Sequence, residues 1–525
     1  MAQLSFPCGP GWVDLAADGT VTGVRHDDQP GSGYVLAAAE VVVHRGGQPV
    51  TWSAPVVGAD ADEVEVVREG QGLRLVVRHS FVAGWGLRVA LSNPGLTEEV
   101  LDDVLISWRV PEDRPGWAVA AGAVGSTAVF PADGTGPVLG GVLRRGEVAR
   151  VDEQGLHLGR IVLAPGGRYV EQWHFDFAPT PADLDRGQDP AVPRRLDLVL
   201  GEAVTVPTTE DVALVVDPGL HVDTVQGGTE LTAVNDGAFA VELRSARGSV
   251  AYQVRVAEPV EQVLAQVAAV ALDQPRTGSG TIRLAGVEAA LVVHFALGRG
   301  LVADDYAAED ALDLFAARLP DDDERDPLTV AFLCLDHVRS ADPEPLDRAS
   351  RAVLASREPA PGLGLAATQL SLARVLAGQS VAPVLEHLVA LSRTAALEPA
   401  AGPRSAQAAL LELEVVTMTR PDVVQPGAPE SWAPGSALTR AAALGGWLGG
   451  GLRGWAVPRV PVADLAHLSA VLALLPEPVS AELSRRWGCS AYELARRGRT
   501  EVLTRLTSLV PGPEHAWLVL GSRPG

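Results

Sequence analysis

The sequence predicts a multidomain chain that is β in its first half and α in its second. The expected parts are a large antiparallel β domain, a small Ig-like β-sandwich and a C-terminal all-α domain. Three observations carry this. As far as Val256 the apolar residues recur mostly every second position, the period of a half-buried strand. From Val260 they recur as Val260, Val263, Leu264, Val267 and Val270, the spacing of one helix face. Between the patterns stands Pro259, which suits a helix's first turn because its missing N–H would find no intrahelical partner there.

The chain has 525 residues, of which 47% are hydrophobic, enough for about three domains at roughly 100–200 residues each. The expected boundaries are 1–180, a Pro- and Asp-rich linker at 181–193, then 194–257 and 258–525. A formal net charge of −23, with no basic stripe, argues against nucleic acid and against an anionic membrane surface. All 42 basic residues are arginine. Schiff-base catalysis, a Walker-type phosphate loop and a Ser–Lys nucleophile are therefore excluded, since each needs an amine. Cys8, Cys334 and Cys489 are far apart and form no CxxC pair, which fits a reducing compartment better than a zinc site or a disulfide scaffold. The first residues lack a basic and an apolar region, and no window of 18 residues is uninterruptedly apolar. Neither a signal peptide nor a membrane span is expected, and a cytoplasmic location is.

In the first 180 residues, Val64–Arg68 and Leu73–Arg78 flank Glu69-Gly70-Gln71-Gly72 as a hairpin. Further strands are expected over Tyr34–His44, Leu87–Leu91, Val100–Val110, Trp117–Val124 and Val138–Arg144. A last hairpin joins Leu156–Leu163 to Arg168–Phe177 across Ala164-Pro165-Gly166-Gly167. One face of that final strand carries Tyr169, Glu171, Trp173, Phe175 and Phe177, and the other Arg168, Gln172, His174 and Asp176. An aromatic core face opposite a solvated one explains this; a sugar groove containing Glu171 or His174 is the sharper alternative.

Between 194 and 257, about six short strands separated by turns such as Gln226-Gly227-Gly228 and Asn235-Asp236-Gly237 fit an Ig-like sandwich. After Pro259 twelve helices are expected, at 259–272, 284–298, 306–318, 327–340, 344–356, 363–377, 381–396, 404–418, 436–449, 462–475, 478–487 and 490–508. Arg325-Asp326-Pro327 and Asp342-Pro343-Glu344-Pro345 supply acids and proline where helices begin. Twelve helices make about six hairpins, which suit either an (α/α) toroid closed on itself or an open α-solenoid of HEAT-like period. The absence of a repeated signature favours the toroid.

The segment Leu91-Ser92-Asn93-Pro94-Gly95-Leu96 with Asp102-Asp103-Val104-Leu105, in a strand-rich first third, resembles the β-supersandwich of galactose-mutarotase-like proteins. Supersandwich, linker and toroid together resemble the layout of bacterial glucoamylase-type glycoside hydrolases. The Ig-like module departs from that layout, and no catalytic motif of either family matches residue by residue. The resemblance implies a carbohydrate-active protein.

Glycosidic cleavage needs two carboxylates, one protonated and one ionised. Asp304-Asp305-Tyr306 offers one, unless the two acids simply cap the next helix. Glu430-Ser431-Trp432, in a Pro/Gly loop, offers the other, unless that loop is ordinary surface. The candidate catalytic residues are therefore Asp305 and Glu430, with Asp304, Tyr306, Trp432, Trp447 and Trp455 as candidate substrate-binding residues. Trp447 lies within the glycine-rich run 445–454 and Trp455 follows it; the run either lets helices approach closely or carries an aromatic platform. His337 reads as an interior histidine, and Glu412 and Glu414, two apart, cannot share a helix face. Asp321-Asp322-Asp323-Glu324 lacks the EF-hand pattern, so neither metal nor cofactor is expected.

The leading expectation is a carbohydrate-active protein, a glycoside hydrolase acting through two carboxylates on an oligosaccharide or other small molecule. The alternatives are a non-catalytic binding protein with a helical-repeat half, and a sugar epimerase working through Glu171 and His174. Sequence leaves substrate and oligomeric state open.

Overall fold

Strict alternation of inward and outward side chains builds the first half. In the strand Leu73–Ser80 the odd-numbered residues are buried and the rest half-buried or exposed, so one face meets a core and the other solvent. The computed structural model describes the chain except residues 1–3, 29–32, 36, 112–113, 115, 132–133, 153, 188–196, 207, 209–212, 246–247, 274–281, 320–325, 396–403, 419–433, 452–459 and 523–525. It divides into two units. One is mainly Met1–Val256; the other is Ala257–Leu448, Val460–Arg485 and Cys489–Gly525.

In the β unit, one sheet runs in the order Leu4–Cys8, Gly11–Leu15, Val21–His26, Ala37–Arg45, Asp103–Arg109, Gly155–His157, Arg150–Asp152. The second runs Gly116–Ala121, Val124–Val129, Val138–Arg145, Arg168–Ala178, Trp85–Ser92, Leu73–Ser80, Glu63–Gly70, Val56–Ala59. Their inner faces share one apolar core. Phe175 stacks there on Trp85 at 4.4 Å and on Trp108 at 4.9 Å. The Ig-like region has a four-stranded and a three-stranded sheet between Asp197 and Ala257, around its own core of Leu198, Leu220, Leu231, Val241 and Leu243.

The expected hairpin at residues 64–78 is present. Gln71 (φ 49°) and Gly72 (φ 81°) form a two-residue turn with both φ positive, the geometry that matches the twist of paired strands. The expected hairpin of Leu156–Leu163 with Arg168–Phe177 is not. The chain does turn at 164–167, but Ile161–Leu163 pairs with Glu99–Leu101 while Arg168–Ala178 lies between Val138–Arg145 and Trp85–Ser92. Buried Asn93 holds the turn from outside: its amide donates to the carbonyls of Thr97 (2.7 Å), Leu163 (3.0 Å) and Ala164 (3.3 Å).

The seam is where the periodicity puts it. The last described strand ends at Ala257, and Pro259 caps the helix that follows. The described residues form fourteen helices: α1 (Pro181–Gly187), α2 (Val260–Leu272), α3 (Val287–Gly298), α4 (Asp305–Ala316), α5 (Pro327–Ser340), α6 (Pro343–Ala355), α7 (Leu363–Leu376), α8 (Ala382–Ala395), α9 (Arg404–Met418), α10 (Pro434–Gly451), α11 (Val462–Ala473), α12 (Glu477–Trp487), α13 (Ala491–Arg505) and α14 (Pro513–Leu520). Twelve match expected helices to within a few residues. The unexpected one in the helical unit, α14, decides its architecture.

Contacts run α3 to α5, α5 to α7, α7 to α9, α9 to α11, α11 to α14 and α14 back to α3. That circuit is a closed ring of six, so the helical unit is a toroid and not an open stack. Helices α2, α4, α6, α8 and α13 pack against ring members. The sequence assigns these places physically. Residues 465–473 of α11 and 515–520 of α14 are buried without a break, as helices apolar all round must be. Helix α6 buries only a stripe, including Leu346, Ala349 and Val353.

Candidate functional site

The ring interior holds a polar cluster that draws four of its helices together. Helix α7 begins at Pro361-Gly362-Leu363-Gly364 with no Ser, Thr, Asp or Asn to cap it, so its first amides need acceptors from elsewhere. Glu412 of α9 supplies them. One carboxylate oxygen accepts from the Gly362 N–H (3.0 Å), and the other from Gly364 (2.9 Å) and Leu365 (3.1 Å). His467 of α11 donates its Nε2–H to the same carboxylate, and its ring lies 4.5 Å from Trp517 of α14. Glycine is required at both α7 positions. Gly362 has φ 91° and a Cβ there would meet Trp517 at 2.3 Å, while one on Gly364 would meet the Glu412 backbone at 2.5 Å. With both oxygens committed, Glu412 is a fixed anion that caps a helix and orients an imidazole.

Other buried acids of this unit also have cationic partners, Glu501 with Arg505 at 3.7 Å among them. Asp336 pairs with Arg339 at 2.6 Å, and Glu414 with Arg440. Glu412 and Glu414 do diverge, as their two-residue spacing requires.

A cavity of about 480 Å³ opens elsewhere in the unit, within the roughly 300–1,000 Å³ range of ligand pockets. Its lining includes Arg283 and residues 284–287 at the start of α3, Leu314, Phe315 and Arg318 on or just after α4, and Asp326 and Thr329 at the start of α5. Phe315 is held edge-on by Phe332, ring centres 5.1 Å apart. Asp326 is occupied as the cap of α5, accepting from the Thr329 N–H (3.0 Å) and hydroxyl (3.2 Å).

The β unit buries titratable groups of its own. Glu171, 1% exposed, accepts from Trp173 Nε1 at 2.7 Å and faces the Tyr169 hydroxyl at 3.3 Å. Burial pushes its carboxyl up to about 8, against the pull of those two donors. Burial, then the charge of Glu171, raises the Tyr169 phenol. His174, three residues along the strand, leaves by the opposite face, so it and Glu171 do not converge. His79 is fully buried; its Nε2 donates to the Gly19 carbonyl (3.1 Å) and its Nδ1 accepts from Trp85 (3.2 Å). Burial lowers its pKa to about 4, and the ring is neutral. His157 contacts Asp103 at 2.5 Å and Asp152 at 2.9 Å beside Arg150.

Of the residues singled out from sequence, Asp304 caps α4 by accepting from the Ala307 N–H at 3.0 Å. Asp305 opens that helix, exposed, and Tyr306 is 82% exposed. Trp447 is buried in α10, with the Arg404 guanidinium 3.3 Å from its ring centre. Glu430, Trp432, Trp455 and the acidic run 321–324 lie outside the described residues. His337 is half-buried near the end of α5 and donates to the Asp342 carbonyl at 2.6 Å. Sequence reading misses His467, Trp517, Arg283 and Arg318. The uncapped glycine start of α7 signals a missing acceptor, which Glu412 supplies, but it does not point to His467, Trp517 or the arginines.

No protein-family model matches the chain, and no curated protein matches it by sequence. Among solved structures it is similar to a polysaccharide lyase, at 12% identity over 94% of this chain and 92% of that one, with a TM-score of 0.68. It also aligns over 36% of its length with YidC from Thermotoga maritima, at 14% identity, 54% of that chain and a TM-score of 0.19. An active YidC insertase with its first transmembrane domain resolved gives 14% identity over 36% of this chain and 41% of that one, with a TM-score of 0.20. At 12% identity, what the chain shares with the lyase is the fold.

Proposed function

We propose that the chain is a carbohydrate-active protein that acts on a polysaccharide. The observation that carries this reading is the fold likeness to a polysaccharide lyase across nearly the whole of both chains. Fold alone does not select a reaction, and two chemistries fit this class. In elimination, a base takes the proton beside a uronate carboxylate, the bond to the leaving oxygen breaks, and that oxygen takes up a proton. In hydrolysis, two carboxylates divide the work of acid and base, and Asp305 and Glu430 are the pair put forward for it.

The test is incubation of the full chain with neutral and acidic polysaccharides, following both new reducing ends and the ultraviolet absorbance of unsaturated ends. Reducing ends with absorbance identify elimination. Reducing ends alone identify hydrolysis, and Asp305→Asn or Glu430→Gln then abolishes at least nine-tenths of the rate, about 1.4 kcal/mol or more of barrier. A chain that neither binds nor cleaves any of them overturns the proposal.

A second reading, binding without cleavage, is favoured by the state of the ring's buried acids. Glu412, Glu414 and Asp336 are each held by a partner. Retention on immobilised polysaccharide with no cleavage would select it.

A further inference from the structure

We propose that the cavity between the start of α3, the end of α4 and the start of α5 binds the carboxylate or sulfate group of an acidic sugar. This deepens the carbohydrate reading and rests on it for the identity of the ligand as a sugar.

The argument starts from charge. Two of the lining residues, Arg283 and Arg318, are exposed arginines from separate segments. Among the described residues neither makes an ion pair. Both guanidinium groups are therefore open to an anionic ligand. Guanidinium groups match planar carboxylates and sulfates through paired N–H donors, which an ammonium cannot do. Among the described lining residues the one carboxylate, Asp326, accepts two hydrogen bonds from Thr329 of its own helix.

Shape and polarity agree with charge. Residues 284–287 enter the lining at the start of α3, whose cap residue Gly286 makes no side-chain capping bond. Glu288 of that first turn lies beside Gly286, so the donors assigned to the oxyanion are the two guanidinium groups. Phe315, fixed by Phe332, adds an aromatic surface of the kind on which the C–H face of a sugar rests. At about 480 Å³ the space exceeds what an inorganic ion fills and is open to a ligand carrying a ring. Two guanidinium groups and an aromatic side chain thus line one cavity, a combination suited to an anion attached to an apolar ring face.

The experiment is calorimetric titration of the full chain with glucuronate, glucose and inorganic sulfate. It is run on the wild type, on the double variant Arg283→Gln/Arg318→Gln and on the control Arg357→Gln, an exposed arginine that does not line the cavity. All three substitutions fall at exposed positions, and an unchanged thermal transition verifies the fold of each variant. The expected result is glucuronate binding that sulfate competes away, glucose at least about ten-fold weaker, and a loss of about ten-fold or more in the double variant only. Equal glucuronate affinity in wild type and double variant overturns the site. Sulfate binding without glucuronate binding also overturns it as a sugar site. If the double variant cleaves or retains polysaccharide like the wild type, with unchanged glucuronate affinity, the cavity proposal fails while the carbohydrate reading stands. If glucuronate binds through the arginines and no polysaccharide is bound or cleaved, the cavity is supported and the wider reading fails.

Discussion

Replacing Glu171 with glutamine should stabilise the β unit at alkaline pH and leave it nearly unchanged in acid. Oε1 accepts from Trp173, and Oε2 faces a Tyr169 hydroxyl whose single proton is also offered to the Glu147 carbonyl at 3.0 Å. That hydrogen-bond count is satisfied best when Glu171 is protonated and donates to Tyr169 itself. The folded-state pKa of about 8 lies above the ordinary 4.5, so the native state holds an extra proton between those values. The stability this supplies is fully present below about pH 4.5 and is lost as pH rises through about 8. At about 1.36 kcal/mol per pH unit the whole loss is of the order of 5 kcal/mol. In Glu171→Gln the amide mimics the protonated acid, with one oxygen for Trp173 and an N–H for Tyr169. Urea unfolding of wild type and variant, compared at about pH 5 and about pH 9, cancels the other titrating groups. The variant should gain several kcal/mol between the two. A difference that is flat, or one that turns against the variant at the alkaline end, would refute the account of Glu171 as a neutral core acid.

Three further outcomes follow from the same contacts. Asn93→Ala removes the donor to three carbonyls and should cost about 3 kcal/mol in urea unfolding, with faster amide exchange over residues 161–168. Glu412→Ala leaves the α7 amides and His467 without their acceptor and should cost about 3–5 kcal/mol, read by thermal unfolding. Ending the chain before Pro513 removes α14 and opens the ring, so protease cleavage within α3 and α11 should become rapid; cleavage at the wild-type rate would argue against a closed circuit.

Much of the fold is legible because it depends on local periodicity. Alternation fixes which face of Leu73–Ser80 is buried, and the change of period at Pro259 separates the two halves without any knowledge of contacts. Pairing partners are less legible, because strand register and order are set at long range. Arg168–Ala178 looks like the second arm of a local hairpin, yet its neighbours come from residues 85–92 and 138–145. Helix α14 escapes a periodic reading since it has only eight residues, although Gly512-Pro513-Glu514 is a sound helix start. The polar cluster of the ring is nearly invisible in sequence: Glu412 and His467 are 55 residues apart and meet only once the ring has closed.

The two polar features of the helical unit differ in a way that separates structure from function. At Glu412 both carboxylate oxygens are taken by donors, and the glycines around it admit no added atom, so a ligand could enter only by breaking α7 from α9. At the α3–α5 cavity the donors belong to exposed arginines, and there is room. A buried acid whose bonds are all internal affects stability when removed; an exposed cation at the edge of a cavity affects binding. Substitutions at the two places should therefore dissociate. Glu412→Ala should lower the unfolding temperature with little change in glucuronate affinity per folded molecule. Arg283→Gln/Arg318→Gln should do the reverse. If both properties moved together in both variants, the division of this unit into a structural interior and a ligand-facing rim would be wrong.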